Sequence, residues 1–432
     1  MLCLCFFALS LYNAVKKYIK WSLEVEVLDG KDIILGVTGG IAAYKGAELV
    51  RQLTRKGANV HVVMTRNAQE FITPLTFETL SGNPVQTDLF SLFGGSKIGH
   101  VALADMADVV VIAPATANII GKVAHGIADD FLSTMVMATK SPVLFAPSMN
   151  VNMWGSVAVQ RNVATLKQAG YHFIGPEEGD LACEAIGQGR LAAVADIVDH
   201  IEDLFVEKDL AGNHLLITAG PTHEPIDPVR FITNRSSGRM GFALAKGAQR
   251  RGADVILISG PTHLPVPRRN VRFVPVRTAS EMRDAVLEHY KGCSAIIKAA
   301  AVSDYRPKSL SSQKLKKMGA RTSLELERNP DIIGEIGSAK GDRVLVGFAA
   351  ETEDLMANAR EKLRKKHLDL IVANDVSQSD SGFETETNRV VIIDSTGEVE
   401  SLPLMSKDEV ANKVLDRVVK ILRGKSSRGG KR

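Results

Sequence analysis

The sequence contains few cysteines for its length. Its 432 residues include four of them, Cys3, Cys5, Cys183 and Cys293. They are too few and too scattered for a disulfide framework, and Cys3 with Cys5 lacks the second ligand pair that a structural zinc site requires. A reducing cytoplasm is therefore the simpler location for this chain.

The sequence also has no hydrophobic run long enough to cross a membrane. The apolar stretch from Leu2 to Leu11 covers about ten residues, whereas a spanning helix needs about 20. No basic residue precedes this stretch and no small-residue cleavage site follows it before Lys16, so it is a poor signal peptide. We interpret residues 1–30 as an extension outside the homologous domains, with a helix on a membrane surface as the alternative. We expect no membrane partner.

A strong excess of charge of one sign is absent. The sequence has 53 Lys and Arg residues against 49 Asp and Glu residues, which gives a net charge of +4. Nucleic-acid-binding proteins usually concentrate basic residues on one face, so we expect no nucleic-acid partner. Basic residues do cluster locally at 314–317 and 362–366. Such runs form solvated faces or hold an anionic substrate, and the sequence leaves both interpretations open.

Two complete nucleotide-binding motifs are missing. Gly36, Gly39 and Gly40 do not have the G-x-G-x-x-G spacing, and the motif G-x-x-x-x-G-K-[ST] does not occur. Neither a nicotinamide site nor a P-loop NTPase is therefore supported. A glycine turn before a helix still presents backbone N–H groups to a phosphate, so a flavin phosphate or a nucleotide phosphate fits either half.

The pattern of apolar runs nearly repeats between the two halves. Each half begins with a strand, a glycine turn, a helix and a strand, predicted at 33–37, 42–56 and 60–64, and again at 215–217, 241–251 and 255–258. Further strands are predicted at 109–112, 143–145, 295–297, 344–346 and 370–373. Continuous Val, Ile and Leu runs indicate strands covered on both faces. The predicted fold class is α/β, with two doubly wound, Rossmann-like domains of mainly parallel sheets.

The domain boundary is expected in the polar segment 207–213. The length supports two domains of about 200 residues each, because one hydrophobic core rarely serves more. We therefore predict domains at 31–208 and 209–423. Residues 424–432 are rich in Gly, Ser, Lys and Arg, and we predict a disordered basic tail there.

Four short motifs in the first half contain candidate functional residues. Segments 113–118 (Ala-Pro-Ala-Thr-Ala-Asn) and 146–150 (Ala-Pro-Ser-Met-Asn) each include the end of a predicted strand, where open α/β sheets bind ligands. His100 follows a glycine-rich loop, and Cys183 lies in the glycine-rich segment 179–189, which we predict to be a mobile flap. Taken singly, segment 113–118 is as well explained by a helix cap, and His100 by a surface residue.

Together with segment 36–45, these motifs resemble the flavin-containing cysteine decarboxylase family over residues 31–200. The resemblance implies a flavodoxin-like flavoprotein domain with FMN as its cofactor. It implies that His100 is the essential base, that Asn150 binds the substrate carboxylate and that Cys183 is a proton donor. It also implies FMN contacts at Thr38, Gly39, Gly40, Thr65, Pro114, Thr116, Ser133 and Met149. Glu184 departs from the family pattern, in which many members have glycine.

The implied chemistry accounts for these residue types. A cysteine-derived carboxylate has no electron sink, and oxidation of its thiol to a thioaldehyde creates one β to the carboxylate. Loss of carbon dioxide then leaves an enethiol, which is reduced and protonated to the saturated thiol. The cycle needs a base near the thiol, His100, and an acid on the product side, Cys183. A flavin supplies the redox chemistry.

The second half contains another ordered set of motifs. A long polar segment, 218–241, connects a predicted strand to a predicted helix and includes Asn234. Its alternative interpretation is a plain connection, but long loops in compact domains are usually functional. Segments 299–307, 314–317, 329–332 and 347–352 follow it.

This set resembles the bacterial phosphopantothenate–cysteine ligases over residues 210–420, including 373–377. The resemblance implies that Asn234 acts on an acyl-cytidylate intermediate. It implies CTP contacts at Ala299, Ala300, Asp304, Lys314, Asn329, Pro330, Asp331, Ile332, Phe348, Lys362 and Lys366. Nucleotidyl transfer to a carboxylate releases pyrophosphate, and lysines with Mg²⁺ stabilise the charge on the transferring phosphate. The Mg²⁺ ligands stay unassigned.

Chains that join these two domains in this order are bifunctional enzymes of coenzyme A biosynthesis. The resemblance thus implies CTP-dependent ligation of L-cysteine to 4′-phosphopantothenate, then decarboxylation to 4′-phosphopantetheine. It also implies a homo-oligomer, a dodecamer, because trimeric first domains and dimeric second domains close into one particle. Two alternatives are a decarboxylase of peptidyl cysteine, which the ligase half disfavours, and a non-catalytic flavoprotein binding subunit. The basic tail, His100 and Cys183 disfavour the latter.

Overall fold

The computed structural model describes residues 27–89, 99–180, 186–267, 270–316, 323–351, 354–375, 385 and 387–429. The chain folds into two compact units, Met1–Phe205 (unit 1) and Val206–Arg432 (unit 2). Each unit has its own sheet and its own hydrophobic core. In the described segments, no helix combines the length and the apolarity needed to cross a bilayer.

The strands of the unit 1 sheet are β1 Asp32–Val37, β2 Asn59–Met64, β3 Val109–Ala115, β4 Val143–Pro147 and β5 His172–Phe173. They are parallel and lie in the order β2-β1-β3-β4-β5. Most of their side chains are buried, as the continuous apolar runs predict. The order reverses between β1 and β3. Doubly wound sheets with this strand order bind ligands in the crevice at that reversal.

Eight helices surround this sheet in the described part of unit 1: α1 Tyr44–Arg55, α2 Pro74–Ser81, α3 Gly99–Met106, α4 Ala117–Ala124, α5 Phe131–Ala138, α6 Val151–Gly155, α7 Val157–Gln168 and α8 Val194–Leu204. In α1, Leu49, Val50 and Leu53 are buried at helical spacing. The same core includes Leu28, which is fully buried. Because this apolar side chain packs under the first strand, the folded unit begins before residue 31, within the segment interpreted above as an extension.

The segment predicted to be a flap includes an antiparallel hairpin of β6 Glu177–Asp180 and β7 Ile186–Arg190. The second arm rests on α6. The backbone N–H of Met149 donates to the carbonyl of Gly189 at 3.0 Å, and a Cβ at Gly187 would lie 3.1 Å from the Val151 side chain. Residues 181–185, between the two strands, lie outside the described segments.

The strands of unit 2 are β8 His214–Ala219, β9 His223–Pro225, β10 Phe231–Thr233, β11 Asp254–Ser259, β12 Val271–Pro275, β13 Ala295–Lys298, β14 Tyr305–Pro307, β15 Leu326–Arg328, β16 Val344–Glu351, β17 Leu370–Asp375, β18 Thr387–Asn388, β19 Val390–Asp394, β20 Val399–Ser401 and β21 Met405–Ser406. The main sheet has the order β12-β11-β8-β13-β16-β17-β19-β20. Strands β12 to β17 in this order are parallel, and β19 and β20 join antiparallel. The order reverses between β8 and β13, which predicts a ligand crevice at their carboxyl ends. The other strands form two-stranded antiparallel sheets, β9 with β10, β14 with β15 and β18 with β21. The β9–β10 hairpin lies in the long polar segment.

The helices of unit 2 are α9 Arg239–Arg250, α10 Ala279–His289, α11 Ile332–Ala339, α12 Leu355–Lys365 and α13 Lys407–Gly429. A Cβ at Gly241 would lie 2.5 Å from the Ala219 side chain, so glycine lets α9 pack on the end of β8. Helix α13 corrects one prediction, because residues 424–429 are helical rather than disordered. Lys425 accounts for this, since its ammonium binds the Asp369 carboxylate and the Arg343 carbonyl, each at 3.1 Å. Basic residues are also favourable in the last turns of a helix.

Candidate functional sites

The first site lies at the carboxyl ends of β1 and β3. Thr38 follows β1 and is buried, and its hydroxyl donates to the Pro114 carbonyl at 2.7 Å. The backbone N–H of Thr116 donates to the Thr38 hydroxyl at 3.1 Å. These bonds tie two neighbouring strand ends together, and they bring three of the residues with predicted FMN contacts into one cluster.

The turn after β1 is shaped by glycine. A Cβ at Gly39 would lie 2.4 Å from the Asn67 Cβ, and a Cβ at Gly40 would point toward the Thr116 methyl at 3.7 Å. Thr65 follows β2, and its N–H donates to the Val37 carbonyl at 3.1 Å. The structure thus places these predicted contacts at adjoining strand ends, where backbone N–H groups can meet a phosphate.

Ser133 and Met149 belong to other elements. Ser133 is buried in the first turn of α5, where its N–H and its hydroxyl both lie 2.8 Å from Asp130 Oδ1 in a reciprocal cap. Its hydroxyl therefore already has a structural partner. Met149 follows β4 and contacts the flap through its backbone, as described above.

His100 is the second residue of α3, which ends just before β3 begins, so its first turn lies toward the carboxyl edge of the sheet. Its ring meets Phe131 edge-on, with ring centroids 6.2 Å apart. Nδ1 of His100 is buried and has no hydrogen-bond partner among the described residues. The role of base that the resemblance implies for His100 stays a prediction.

Helix α6 connects the predicted carboxylate ligand to the flap. Asn150 caps this helix, since its Oδ1 accepts the Asn152 N–H at 2.8 Å. Trp154 in the same helix donates from Nε1 to Gln188 Oε1, on β7, at 3.3 Å. Cys183 lies in the segment 181–185, outside the described residues, so its predicted role stays a prediction.

The second site is a cavity of about 690 Å³ in unit 2. Of the residues predicted to act on CTP or its adduct, it is lined by Asn234, Ala299, Ala300, Asp304, Asn329, Pro330, Asp331, Ile332, Phe348, Lys362 and Lys366. Lys314 is not among the described residues that line it. These residues come from the segments after β8, β13 and β15, from β16 and from α12, so the topology brings distant motifs to one edge of the sheet.

The backbone around this cavity is fixed by polar contacts near β8. The Thr218 hydroxyl accepts the Ala300 N–H at 3.2 Å, and the Gly220 carbonyl accepts the Ala301 N–H at 3.0 Å. Gly220 has φ +72°, and a Cβ there would lie 2.9 Å from Thr262, so this turn requires glycine. Asn234 donates from Nδ2 to the carbonyls of Ala301 and Val302, at 3.3 and 3.2 Å.

Cations predominate in the cavity wall. The charged lining residues are Arg239, Lys298, Arg328, Lys362, Lys366 and Lys407, against Asp304 and Asp331. Burial lowers the pKa of Lys298 to about 8, with Lys366 and Lys362 adding to the effect and Asp304 opposing it. Burial also lowers the pKa of Lys407 to about 8, and Arg239 adds to this. A cavity with this excess of positive charge suits a polyanionic ligand.

Four of these six cations were not predicted as ligand contacts, namely Arg239, Lys298, Arg328 and Lys407. Lys298 is the last residue of β13 and directly precedes Ala299. A lysine at the end of a buried strand was the sequence feature from which it could have been predicted as a site residue. Lys407 begins α13, and no sequence pattern joins it to the other motifs. Its side chain reaches the cavity because the fold brings the start of this helix to the carboxyl edge.

Lys314 is held by a different contact network. Its neighbour Leu315 donates its N–H to Asp227 Oδ2 at 3.1 Å and accepts from Arg230 Nη2 at 2.8 Å. The buried Asp227 carboxylate also accepts the N–H groups of Val229 and Arg230, at 2.8 and 2.7 Å. The Arg230 guanidinium beside Asp227 holds the pKa of that carboxyl well below its ordinary value. The loop between β9 and β10 thus fixes the backbone of the residue that follows the predicted CTP ligand.

Comparisons with known proteins agree with both halves of the chain. The family model described as Flavoprotein matches residues 23–206, and the model for the DNA/pantothenate metabolism flavoprotein C-terminal domain matches residues 210–422. The chain is 49% identical over 395 residues to the coenzyme A biosynthesis bifunctional protein CoaBC of Bacillus subtilis (strain 168), covering 91% of this chain and 97% of that protein. It is 44% identical over 397 residues to the protein of the same name from Escherichia coli (strain K12), with 91% and 97% covered.

A solved structure is also similar. The crystal structure of the C-terminal domain of a coenzyme A biosynthesis bifunctional protein CoaBC is 44% identical in sequence, with a TM-score of 0.44. It covers 50% of this chain and 100% of that domain.

Proposed function

The chain belongs to the family of coenzyme A biosynthesis bifunctional proteins, CoaBC, and we propose from this premise how its two units divide the reactions. It is a bifunctional enzyme with decarboxylase and ligase activities. In our proposal, unit 2 joins L-cysteine to 4′-phosphopantothenate with CTP. Unit 1 then decarboxylates the product to 4′-phosphopantetheine.

The main observation that supports the ligase proposal is the cationic cavity of unit 2. Activation of a carboxylate by CTP places a triphosphate, a carboxylate and a leaving pyrophosphate in one site. Lys298, Lys362 and Lys366 line the cavity and would offset this negative charge. Asn234 stands beside the turn at Ala301, bonded to its carbonyl, and would position the acyl-cytidylate for attack by the cysteine amine.

Mg²⁺ is proposed as the accompanying cation. Among the described residues, no group of three or more His, Cys, Asp or Glu side chains is arranged to hold a metal. Mg²⁺ at nucleotide sites usually binds one or two carboxylates together with phosphate oxygens, so this donor set fits. Asp304 would supply the carboxylate, because Asp331, the other acidic lining residue, is already paired with Lys366.

FMN is proposed as the cofactor of unit 1. The tight glycine turn at Gly39 and the Thr38–Thr116 cluster lie at the reversal of a flavodoxin-like sheet, and the chain matches the Flavoprotein family over this unit. The residues that would hold FMN are Thr38, Gly39, Gly40, Thr65, Pro114, Thr116, Ser133 and Met149. FMN would supply the oxidation and later reduction of the substrate's thiol-bearing carbon.

The side chains of unit 1 would handle protons and position the substrate. His100, with its buried Nδ1, would accept the proton that leaves when the thiol is oxidised. Asn150 would hold the carboxylate until carbon dioxide departs. Cys183 would then donate a proton to the product carbon and regain one from solvent.

A homo-oligomer is proposed from the surface beside the first site. Ile41 and Tyr44 follow β1 and are each 60% exposed, and Leu75, in α2, is 68% exposed. Exposed apolar side chains of this size favour contact with another copy of the chain. We propose a dodecamer, and light scattering that found a fully active monomer would contradict it. The sparse cysteines support a cytoplasmic location.

The ligase proposal is tested with purified protein, 4′-phosphopantothenate, L-cysteine and CTP. We expect cysteine-dependent release of CMP and pyrophosphate, with ATP a much poorer substrate. Lys314→Gln should stall this reaction while decarboxylation of supplied phosphopantothenoylcysteine continues. Equal rates with ATP and CTP would contradict the nucleotide assignment, and unchanged ligation by the variant would make the 314–317 run a solvated face.

A further inference from the structure

Lys122 joins two helices of unit 1 that adjoin the first site. It lies in the last turn of α4, the helix that begins directly after Thr116, and its side chain is only 18% exposed. Its ammonium binds the carboxylates of Asp129 at 2.6 Å and Asp130 at 2.7 Å, just before α5 begins. Lysines are mostly exposed, and a lysine this well covered usually has a charged partner. Lys122 has two, so its side chain is held in one place.

The backbone of Lys122 also fixes the connection between α4 and α5. Its carbonyl accepts the N–H of His125 at 3.2 Å and the N–H of Ile127 at 2.9 Å. The connection 125–130 is thus held by the carbonyl of Lys122 near its beginning and by the ammonium of Lys122 at its end. This one residue helps to set where α5 begins relative to α4.

The first turn of α5 contacts three parts of the first site. Phe131 meets the His100 ring edge-on, with ring centroids 6.2 Å apart. Leu132 packs against β1 so closely that a Cβ at Gly36 would lie 2.6 Å from its side chain. Ser133 is a predicted FMN contact. Because the three residues are consecutive, a shift of this turn would displace all three contacts together.

Asp130 connects Lys122 to this turn. Its Oδ1 accepts both the N–H and the hydroxyl of Ser133, each at 2.8 Å, and its Oδ2 accepts from the Lys122 ammonium at 2.7 Å. Burial alone would raise the pKa of the Asp130 carboxyl, but its hydrogen bonds to Lys122 and Ser133 outweigh burial and hold that pKa below its ordinary value. The two oxygens serve different partners, so one charged carboxylate joins the lysine to the helix start.

We propose that Lys122 is a positioning residue of the decarboxylase site. Through Asp130 it holds the first turn of α5, and this turn places Phe131 beside His100 and Ser133 at the proposed FMN contact. Lys122 takes no part in the reaction itself. The proposal rests on the FMN-dependent decarboxylation proposed for unit 1.

The test compares variants of the full-length enzyme. Lys122→Met keeps the length of the side chain and removes its charge, whereas Lys122→Arg keeps the charge. Asp130→Asn leaves one oxygen, which can take the place of Oδ1 beside Ser133 or of Oδ2 beside Lys122, but not of both. Lys56→Met is the matched control. Lys56 also binds a buried carboxylate, that of Glu202 at 2.7 Å, but it follows α1 at the amino end of β2, away from the carboxyl edge of the sheet.

Two kinds of measurement are made on each protein. The dissociation constant for FMN is measured by flavin fluorescence as the apoprotein is reconstituted, and the visible circular dichroism of the bound flavin is recorded. The rate of carbon dioxide release is then measured at saturating FMN, expressed per bound flavin, together with KM for phosphopantothenoylcysteine. A general defect in folding lowers the amount of bound flavin, but it does not lower the rate per bound flavin.

Lys122→Met should weaken FMN binding by about tenfold, a typical effect of losing a hydrogen bond to a charged group, and change the visible circular dichroism. The rate per bound flavin should also fall by about tenfold, because small displacements of reacting groups are costly. KM should change little, since Asn150 is proposed to hold the substrate carboxylate. Lys122→Arg should restore both values. Asp130→Asn should reproduce the loss, and the double variant should be no worse than either single variant, because both break the same link.

Lys56→Met should lower the midpoint of thermal unfolding and leave the FMN affinity and the rate per bound flavin unchanged. Wild-type values of both in Lys122→Met would overturn the proposal, as would equal losses in Lys56→Met, which would make Lys122 only structural. If Lys122→Met fails to fold, Asp130→Asn decides by the same criteria, because it leaves the lysine in place. If the wild type binds FMN and releases no carbon dioxide, the proposed function of unit 1 is wrong, and the FMN affinities and spectra still test Lys122.

Discussion

The carboxylate of Asp227 accepts a hydrogen bond from the backbone N–H of Leu315 at 3.1 Å, across 88 positions of sequence. Arg230 completes the contact, because it binds both the Asp227 carboxylate and the Leu315 carbonyl. One buried charge thus sets the position of the residue that follows Lys314. The acidic residue in the β9–β10 loop thus helps to fix the backbone of the basic run at Leu315.

We predict that Asp227→Asn weakens ligation and spares decarboxylation. The amide cannot satisfy the guanidinium and three N–H groups, so Lys314 loses its fixed position, and kcat/KM for CTP should fall by about tenfold or more, the effect of losing a charged hydrogen bond. Decarboxylation of supplied phosphopantothenoylcysteine in the same preparation is the internal comparison. Asp254→Asn, an exposed carboxylate near His214, is the matched control.

The Asp227 effect should not depend on pH between about 6 and 9. Its carboxyl pKa is depressed below the ordinary 3.8, so the stabilisation it provides is present above that value and is lost only as the pH falls toward the folded pKa. A defect in Asp227→Asn that disappeared at either end of this range would contradict the assignment. Unchanged ligation would show that the contact is dispensable.

His100→Asn should slow carbon dioxide release by about 10²-fold or more while the protein stays yellow, since a general base typically contributes at least this factor. Asparagine keeps a polar group at the position but cannot take up the proton. The absorbance spectrum of the purified variant reports flavin binding separately from the rate. Wild-type turnover by this variant would remove His100 from the mechanism.

Cys183→Ser should separate the two halves of the decarboxylation. The hydroxyl is a far weaker acid than the thiol, so carbon dioxide should still leave, while an enethiol product accumulates with reduced flavin. Mass spectrometry of the product distinguishes the enethiol from 4′-phosphopantetheine. Normal product from the variant would exclude Cys183 as the acid.

The affinity for CTP should fall as the pH rises through about 8. Lys298 and Lys407 both have pKa values lowered to about 8 by burial, so the free cavity loses positive charge above that pH. A bound triphosphate favours the charged ammonium, and calorimetry at pH 8 in buffers of different ionisation enthalpy should detect proton uptake on binding. Lys407→Gln should reduce that uptake, and Lys413→Gln, on the exposed side of α13, should not. Absence of uptake in the wild type would contradict this account.

The same two lysines also make the free energy of unfolding depend on pH in a definite direction. Between about 8 and the ordinary lysine pKa of 10.5, the unfolded chain binds more protons at these positions than the folded chain. Their contribution to the free energy of unfolding therefore increases with pH over this window, in the absence of ligand. Denaturant titrations of the wild type and Lys407→Gln at pH 7.5 and 9.5 measure the contribution of Lys407. The difference in the free energy of unfolding between the two proteins should be smaller at pH 9.5 than at pH 7.5.

The parallel sheets could be predicted from sequence because their strands are buried on both faces. An unbroken apolar run such as Ile33 to Val37, followed by a glycine turn, is typical of a buried parallel strand, and the prediction of two doubly wound domains is confirmed. The short strand β20 and the β9–β10 hairpin have mixed or polar sequences, so no periodic signal marked them. Leu28 was missed because a single apolar residue next to a polar turn has no periodicity either.

Site residues could be predicted from the sequence only where the sheet topology brings their segments together. Motifs that follow parallel strands meet at one edge, and this brings Asn234, Asp304 and Asn329 to one cavity. Lys407 and the fixing of Lys314 depend on packing between segments far apart in sequence, and no local pattern encodes such contacts. The resemblance to known families supplied residue types and roles, but it could not supply the Asp227 network.

The contact of β7 with α6 makes the flap and the substrate site thermodynamically linked. Asn150 begins the helix whose Trp154 bonds Gln188, and the adjacent Met149 bonds Gly189, so one short helix is shared by the residue proposed to hold the carboxylate and by the flap. A ligand that orders this helix must also stabilise the flap position that the helix supports. Thermodynamic linkage is reciprocal, so that flap position must raise the affinity for the ligand by the same factor by which the ligand favours the flap position. Release of carbon dioxide removes the group that Asn150 would hold. The loss of carbon dioxide, which follows oxidation of the thiol, would therefore weaken the hold of the enzyme on its own flap.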